Sequence, residues 1–135
     1  MSKYFRVKCS SCGEVCNALE NAPCPKCGKP IEIPTEGMIQ IYRMGHPVGV
    51  ATGYGIYMNS VPMGYIANKE SIRIPVKYGQ YKLHMTCGMT RRCNDVLVTV
   101  SPEWPKVYLK ARIKPGFWRN TILIEQANPE DMPPL

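Results

Sequence analysis

The chain has few of the side chains that carry acid–base catalysis. Only two of its 135 residues are histidines, and one of them, His46, lies in a Gly-His-Pro turn sequence. The other, His84, is three residues from Cys87, so the two would point to opposite faces of a strand. Residues 38–126 contain only four acids, and none of them is spaced as a catalytic pair: Glu70, Asp95, Glu103 and Glu125. We therefore expect that the protein is not an enzyme.

Long apolar segments and helical periodicity are also missing. No uncharged apolar run approaches the roughly 20 residues that span a bilayer. The first eight residues alternate charged and apolar side chains, which is not the pattern of a secretory leader. A helical period is absent apart from one turn at most near residues 16–20. These absences predict a cytoplasmic protein without a membrane partner, in a compartment where thiols stay reduced.

Cysteines are the feature that the chain does have. Two CxxCG turns, called knuckles below, are Cys9–Gly13 and Cys24–Gly28. Each supplies two thiolates from one tight turn, and four thiolates complete the tetrahedral shell of a structural zinc ion. The glycine after each pair tolerates the positive φ that lets backbone amides point at sulfur. The spacing predicts one structural Zn²⁺ per chain, held by Cys9, Cys12, Cys24 and Cys27. An iron site of the rubredoxin type uses similar spacing, and the ligands alone do not separate the two metals.

Three further cysteines remain, and each has more than one interpretation. Cys16 follows the first knuckle and is a substitute ligand, a small buried residue or an exposed spare cysteine, of which we favour the last two. Cys87 and Cys93 bracket a short segment between two predicted strands, where a disulfide is geometrically feasible but opposed by a reducing compartment.

A soft-metal site is a weaker alternative in the same region. His84, Met85, Cys87 and Met89 are all ligands that suit Cu(I). Strand alternation, however, directs Met85 inward with Leu83 and directs His84 outward. Methionine in a core is usually gap-filling, so we favour a packing role for Met85.

The chain divides by composition into three parts. Residues 1–37 contain both knuckles and too few residues to bury a core without metal, which indicates a zinc ribbon. Residues 38–126 carry short segments of period-two alternation separated by Gly, Pro and Asn, the pattern of an antiparallel β-sandwich with about seven strands. The composition of residues 127–135 predicts a disordered tail. The predicted fold class is all-β.

Parts of the sequence resemble known bacterial modules. Residues 1–34, with their two CxxCG knuckles, resemble bacterial zinc-ribbon domains. Residues 56–66 and 72–83 resemble PEGA-like and carboxypeptidase-regulatory-like β-sandwich modules, with Gly79 at the place of a later turn glycine. Asn59-Ser60 stands where those modules usually have Asp-Gly in the first hairpin. The resemblance implies a non-catalytic interaction or spacer domain.

The charge is unevenly distributed. The chain has a formal net charge of +7, and residues 38–126 carry twelve Lys and Arg against four acids. Alternation places Lys110, Arg112 and Lys114 on one face of a strand, and it directs Arg73 and Lys82 outward on others. Such a face is usually just solvated. We expect a protein partner and no small-molecule substrate. The alternative is a nucleic-acid-binding protein that uses the ribbon and this basic face.

Overall fold

The structure is a computed structural model that describes residues 5–9, 11–18, 23–31, 33–44, 53–86, 92–93, 95–114 and 121–132. Within these residues the chain forms eleven strands and one short 3-10 helix at Pro129–Asp131. The strands are β1 (Phe5–Lys8), β2 (Val15–Ala18), β3 (Gly37–Arg43), β4 (Tyr54–Met58), β5 (Val61–Ile66), β6 (Ser71–Val76), β7 (Gly79–Thr86), β8 (Arg92–Cys93), β9 (Val96–Val100), β10 (Lys106–Lys114) and β11 (Thr121–Gln126).

The strands form two sheets, which confirms the predicted all-β fold. The larger sheet has the order β2-β1-β6-β3-β10-β11-β8, and the smaller has the order β5-β4-β7-β9. The smaller sheet is antiparallel throughout, whereas the larger is mixed, because β3–β10, β1–β6 and β8–β11 are parallel pairs. Strands that pair in parallel cannot be joined by a tight hairpin, so these pairs bring together segments distant in sequence.

Period-two alternation directs one face of each sheet into a common core. Ile41 on β3 pairs with Leu109 on β10, and both are buried, while Ile39 pairs with the partly buried Val107. The smaller sheet contributes the inward residues of β4, β7 and β9 to the same cluster. Six apolar residues from five of the strands are all at most 3% exposed: Ile72, Ile74, Leu83, Val98, Leu109 and Ile124.

An arginine also lies inside this core. Arg43 is only 1% exposed because it continues the inward face of β3 after Ile39 and Ile41. Its guanidinium carbon lies 3.5 Å from the ring centroid of Tyr54, and its Nη1 donates to the carbonyl oxygen of Ile66 at 3.0 Å. Stacking and hydrogen bonding of this kind offset the loss of hydration of a buried cation.

The hairpin between β4 and β5 is closed by Asn59 and Ser60. Their φ angles of 52° and 65° are those of a type I′ turn, whose twist matches that of the flanking strands. Asn59 also bonds to strand β7, because its backbone N–H donates to the Lys82 carbonyl and its Oδ1 accepts a hydrogen bond from the Lys82 N–H. The hairpin therefore closes at a residue pair that the sequence marks as a break between two strands.

The N-terminal segment has a small apolar cluster of its own. Val7, Cys9, Cys24 and Ile31 form its buried centre, separate from the sandwich core. The segment is nevertheless joined to the larger sheet, since Phe5 on β1 pairs with Arg73 on β6. The domain bounds drawn from composition stay a prediction.

Residues 16–18 lie in strand β2, where the sequence allowed at most one helical turn. β2 pairs antiparallel with β1 from Phe5↔Ala18 to Lys8↔Val15. Interstrand hydrogen bonding to β1 therefore decides the conformation here, and local propensity does not. Within the described residues, no helix is long and apolar enough to cross a membrane.

Candidate metal centre

The two knuckles have the same backbone geometry. Gly13 and Gly28 adopt φ angles of 79° and 76°, so each occupies the left-handed region that glycine tolerates. The N–H of Gly13 donates to the Cys9 carbonyl and that of Gly28 to the Cys24 carbonyl, both at 2.9 Å. The N–H of Cys9 donates to the Glu14 backbone carbonyl, and the N–H of Cys24 donates to the Lys29 backbone carbonyl, both at 2.8 Å. Two equivalent turns thus face each other.

This arrangement brings the four predicted cysteines together. Their sulfur atoms all lie within 4.8 Å of one another. Cys9 Sγ is 3.7 Å from Cys27 Sγ, and Cys12 Sγ is 3.6 Å from Cys24 Sγ. A tetrahedral metal with bonds of about 2.3 Å to sulfur requires sulfur atoms about 3.8 Å apart. The cluster therefore has the dimensions of a four-thiolate metal site.

The two halves of the site are buried unequally. Cys9 and Cys24 are 1% and 2% exposed, whereas Cys12 and Cys27 lie at the surface. Val7 and Ile31 pack beside the buried pair. The inner cysteines thus attach the site to the apolar cluster, while the outer two close it toward solvent.

Backbone amides favour the thiolate form of the inner cysteines. The N–H groups of Cys12 and Ser11 donate to the Cys9 sulfur and lower the pKa of Cys9 to about 6. The N–H groups of Cys27 and Lys26 lower the pKa of Cys24 in the same way. The Lys26 nitrogen lies 3.4 Å from the Cys24 sulfur. Because metal ligation requires thiolates, these amide hydrogen bonds favour the form of Cys9 and Cys24 that binds a metal.

The pKa of Cys12 is shifted in the opposite direction to that of the inner cysteines. The Glu14 amide lowers the pKa of Cys12, but burial and the hydrogen bonds with the three other thiols outweigh it and raise this pKa to about 12. Negative charge on neighbouring sulfurs opposes a further ionisation. A bound metal ion removes this repulsion and allows all four thiolates to form.

Cys16 does not join the cluster. It lies on β2 opposite Val7 and packs against the apolar cluster, and burial raises its pKa. Its position fits the interpretation as a small packing residue. The disulfide and Cu(I) alternatives depend on Cys87, Met89 and the side chain of Cys93, which lie outside the described residues.

The five basic residues singled out in the sequence do not share one surface. Lys82 projects from the smaller sheet, where its Nζ lies 3.4 Å from Asp95 Oδ2. Arg73 is on the larger sheet, and its guanidinium carbon lies 4.5 Å from the ring centroid of Phe5.

The β10 residues lie on that larger sheet, where they have an acidic neighbour. Lys110 pairs in register with Glu125 on β11, and Arg112 donates from Nε and Nη2 to Glu125 Oε1, both at 2.9 Å. The side chain of Lys114 lies outside the described residues. Glu125 therefore offsets part of the positive charge on this face.

His84 has an acidic partner that spacing did not reveal. Its Nδ1 lies 2.9 Å from Asp95 Oδ1, in a polar recess of about 410 Å³ that also contains Lys82 and Ser60. Desolvation raises the pKa of Asp95, but the hydrogen bonds from Lys82 and His84 together outweigh it and lower this pKa.

Arg6 is the residue whose role alternation misses. Its place between Phe5 and Val7 directs it away from their face, yet it is only 8% exposed. Its Nε donates to Asn17 Oδ1 at 2.7 Å, and its Nη1 donates to the carbonyls of Met63 and Tyr65 on β5. Arg6 thus binds the segment before β3, called the metal-site segment below, to the edge of the smaller sheet.

No family model, curated protein or solved structure matches this chain.

Proposed function

We propose that the chain is a non-catalytic zinc protein that serves as a protein-interaction module. The observation that carries the proposal is the four-cysteine cluster, whose sulfur atoms lie within 4.8 Å of one another. Four ligands from the protein leave no coordination position for water or substrate, so the metal acts structurally.

The metal is assigned as zinc on chemical grounds. Zn²⁺ accepts four thiolates in a tetrahedron, and it brings no redox chemistry. Small domains with such sites gain about 10–16 kcal/mol of apparent binding energy from zinc. Among the described residues before β3, the buried apolar cluster is small, so we expect the segment to depend on energy of this size.

The attachment of this segment to the sandwich supports an interaction role. The two parts are joined by the Phe5–Arg73 pair and by the hydrogen bonds of Arg6 to β5. A metal ion at the knuckles therefore stabilises one end of a larger β-structured surface.

The choice between protein and nucleic acid rests on the distribution of charge. Lys82 and Arg112 each make an ion pair, and they lie on different sheets. Nucleic-acid binding would need basic side chains collected on one surface, with aromatic platforms if the target is single-stranded. We therefore place the protein-interaction class first and nucleic-acid binding second.

Two measurements test this proposal. Metal analysis of the purified chain should give about one zinc per chain, and cross-linking in the native cell should join the chain to a protein. For the second class, the triple variant Lys110→Ala, Arg112→Ala, Lys114→Ala is the probe. We expect it to keep its fold and its partner.

A steep salt dependence would contradict this assignment. If the intact chain binds nucleic acid tightly at physiological salt and the triple variant does not, the protein belongs to the second class. Removal of each basic side chain that neutralises a phosphate should then lower the slope of log K against log salt by about 0.7–0.9.

A further inference from the structure

The four edge strands of the two sheets differ in how they are protected. Within the described residues, β2 and β8 end the larger sheet, while β5 and β9 end the smaller one. β8 has only two residues. Along β5, the guanidinium of Arg6 occupies the carbonyls of Met63 and Tyr65, at 3.1 Å and 2.9 Å. β5 also contains Pro62, which has no N–H, and its register with β4 is interrupted by an irregularity. Such features prevent another strand from adding to an edge.

Within the described residues, strand β9 has none of these protections. Its sequence, Val-Leu-Val-Thr-Val, contains no charge and no proline, and four of its five residues are β-branched. In the part of the chain that the structure describes, it pairs with β7 alone. Its register with β7 is regular from Gly79↔Val100 to Leu83↔Val96. A regular, uncharged edge of this kind favours the addition of a further strand.

Exposed apolar side chains adjoin this edge. Leu97 on β9 is 64% exposed, and Trp104 in the following loop is 73% exposed. Two backbone hydrogen bonds close the loop: the Ser101 N–H donates to the Trp104 carbonyl, and the Trp104 N–H donates to the Ser101 carbonyl. These bonds fix the backbone position from which the Trp104 side chain projects. Both side chains line a groove of about 570 Å³, which continues over Val107 to Pro129.

Charge identifies what the groove accepts. Among the described residues that line it, Lys106 is the only charged one, and it makes no ion pair there. Glu103 precedes Trp104 in the loop but does not line the groove. A second copy of the chain would bring a like net charge of +7 to this surface, which opposes self-association. A segment with an acidic residue near Lys106 is attracted instead.

We propose that the edge of β9, with the Leu97–Trp104 groove, binds an extended acidic segment of a partner protein by strand addition. The main chain of that segment pairs with β9 about 4.8 Å away. Alternate side chains then face the groove, where an apolar residue contacts Trp104 and an Asp or Glu meets Lys106. The inference rests on the proposed interaction function and names the surface and the partner chemistry.

The test uses the zinc-loaded full-length chain and a displayed library of random peptides about ten residues long. We expect the enriched peptides to share an apolar residue and at least one acid in an alternating pattern. Trp104→Ala should weaken their affinity about thirtyfold, the loss typical of a binding hot spot. Lys106→Glu should weaken it about tenfold and should favour peptides in which Lys replaces the acid.

Main-chain pairing has its own test, which leaves the protein unchanged. Methylation of the peptide amides at alternate positions should abolish binding in one register and have little effect in the other, because only alternate N–H groups face the host strand. Leu97→Lys should also reduce binding, since a charge on this edge protects it. Tyr65→Lys is the matched control on the opposite edge, at a side chain that is 70% exposed, and it should bind normally.

Several results would overturn the inference. The inference fails if no peptide is enriched, or if the enriched peptides bind the Leu97→Lys and Trp104→Ala variants as tightly as the intact chain. It also fails if the effect of amide methylation does not alternate along the peptide. Sedimentation that shows a dimer abolished by Leu97→Lys would assign the groove to a second copy. If nucleic acid binds the intact chain but not the Trp104→Ala variant, the groove is a nucleic-acid site. A cellular protein cross-linked at another surface would refute the β9 site and leave the proposed interaction function intact.

Discussion

The side chain of Arg6 reaches from the strand beside the first knuckle to the carbonyl oxygen of Met63, which its Nη1 contacts at 3.1 Å. The two residues are 57 positions apart in sequence. Gly64, between the two carbonyls that Arg6 contacts, has a φ of 84°, and a Cβ there would lie 2.8 Å from the same Nη1. The close approach of the guanidinium therefore depends on a glycine at this position.

Removal of this contact should destabilise the protein. In Arg6→Ala, the carbonyls of Met63 and Tyr65 and the amide oxygen of Asn17 lose their donor. We expect the free energy of unfolding to fall by about 2–4 kcal/mol, measured by denaturant titration. Lys77→Ala, at an exposed position, is the control and should change it by less than about 0.5 kcal/mol. Equal stability of the two variants would show that Arg6 does not hold the segments together.

Loss of one cysteine ligand should unfold the metal-site segment while the sandwich stays folded. Cys24→Ser removes a thiolate from the cluster, so metal analysis should show loss of bound zinc. Because the two apolar clusters are distinct, amide exchange should become fast in β1 and β2 while β3 and β10 stay protected. Cys16→Ser should retain the metal. Uniform loss of protection across the chain would show that the two clusters unfold as one unit.

Two leucines on the smaller sheet provide a test of the core. Leu83 is 1% exposed and Leu97 is 64% exposed. Leu83→Ala leaves a cavity and should lower the free energy of unfolding by about 2–5 kcal/mol. Leu97→Ala removes the same atoms from a solvated site, so it should have an effect below about 0.5 kcal/mol. Thermal or denaturant unfolding that ranks the two in the opposite order would contradict the assignment of the sheet faces.

Asp95 should respond to the loss of its lysine. Desolvation raises the pKa of Asp95, but the hydrogen bonds from Lys82 and His84 lower it further than burial raises it. A lowered pKa means that Asp95 stabilises the fold above the pKa of an unfolded aspartate, and this contribution disappears as pH falls through the lowered value. Lys82→Met should raise the pKa toward the ordinary value, as followed by the carboxyl carbon in an NMR titration. An unchanged titration curve would show that Lys82 has no part in the shift.

The metal cluster could be predicted because its ligands are close in sequence. Each knuckle needs only a few residues and one glycine, and the two face each other after a short connection. The inward and outward residues of β7 and β9 could also be predicted, since alternation alone decides which face each residue occupies. Leu83 and Met85 are buried as the pattern requires.

The relations between distant strands could not be predicted in the same way. Alternation does not specify which strands are neighbours, so it does not reveal that Lys82 and Arg112 belong to different sheets. It also does not reveal the parallel pairing of β3 with β10. Arg6 lies on the face of β1 opposite Phe5 and Val7, but what covers that face is decided by the position of β5. These features depend on long-range packing, which the local pattern does not encode.

The pairing of Phe5 on β1 with Arg73 on β6 also fixes an order of events during synthesis. Both knuckles leave the ribosome before β6, which begins at Ser71. At about 5–20 residues per second, the metal-site segment therefore waits a few seconds for the strand that it joins. During that interval β1 is held by its pairing with β2 and by the small apolar cluster, and a metal ion at the knuckles would add to both. A nascent chain would thus expose the edge of β1 that later meets β6, at the stage when unpaired strands aggregate most readily.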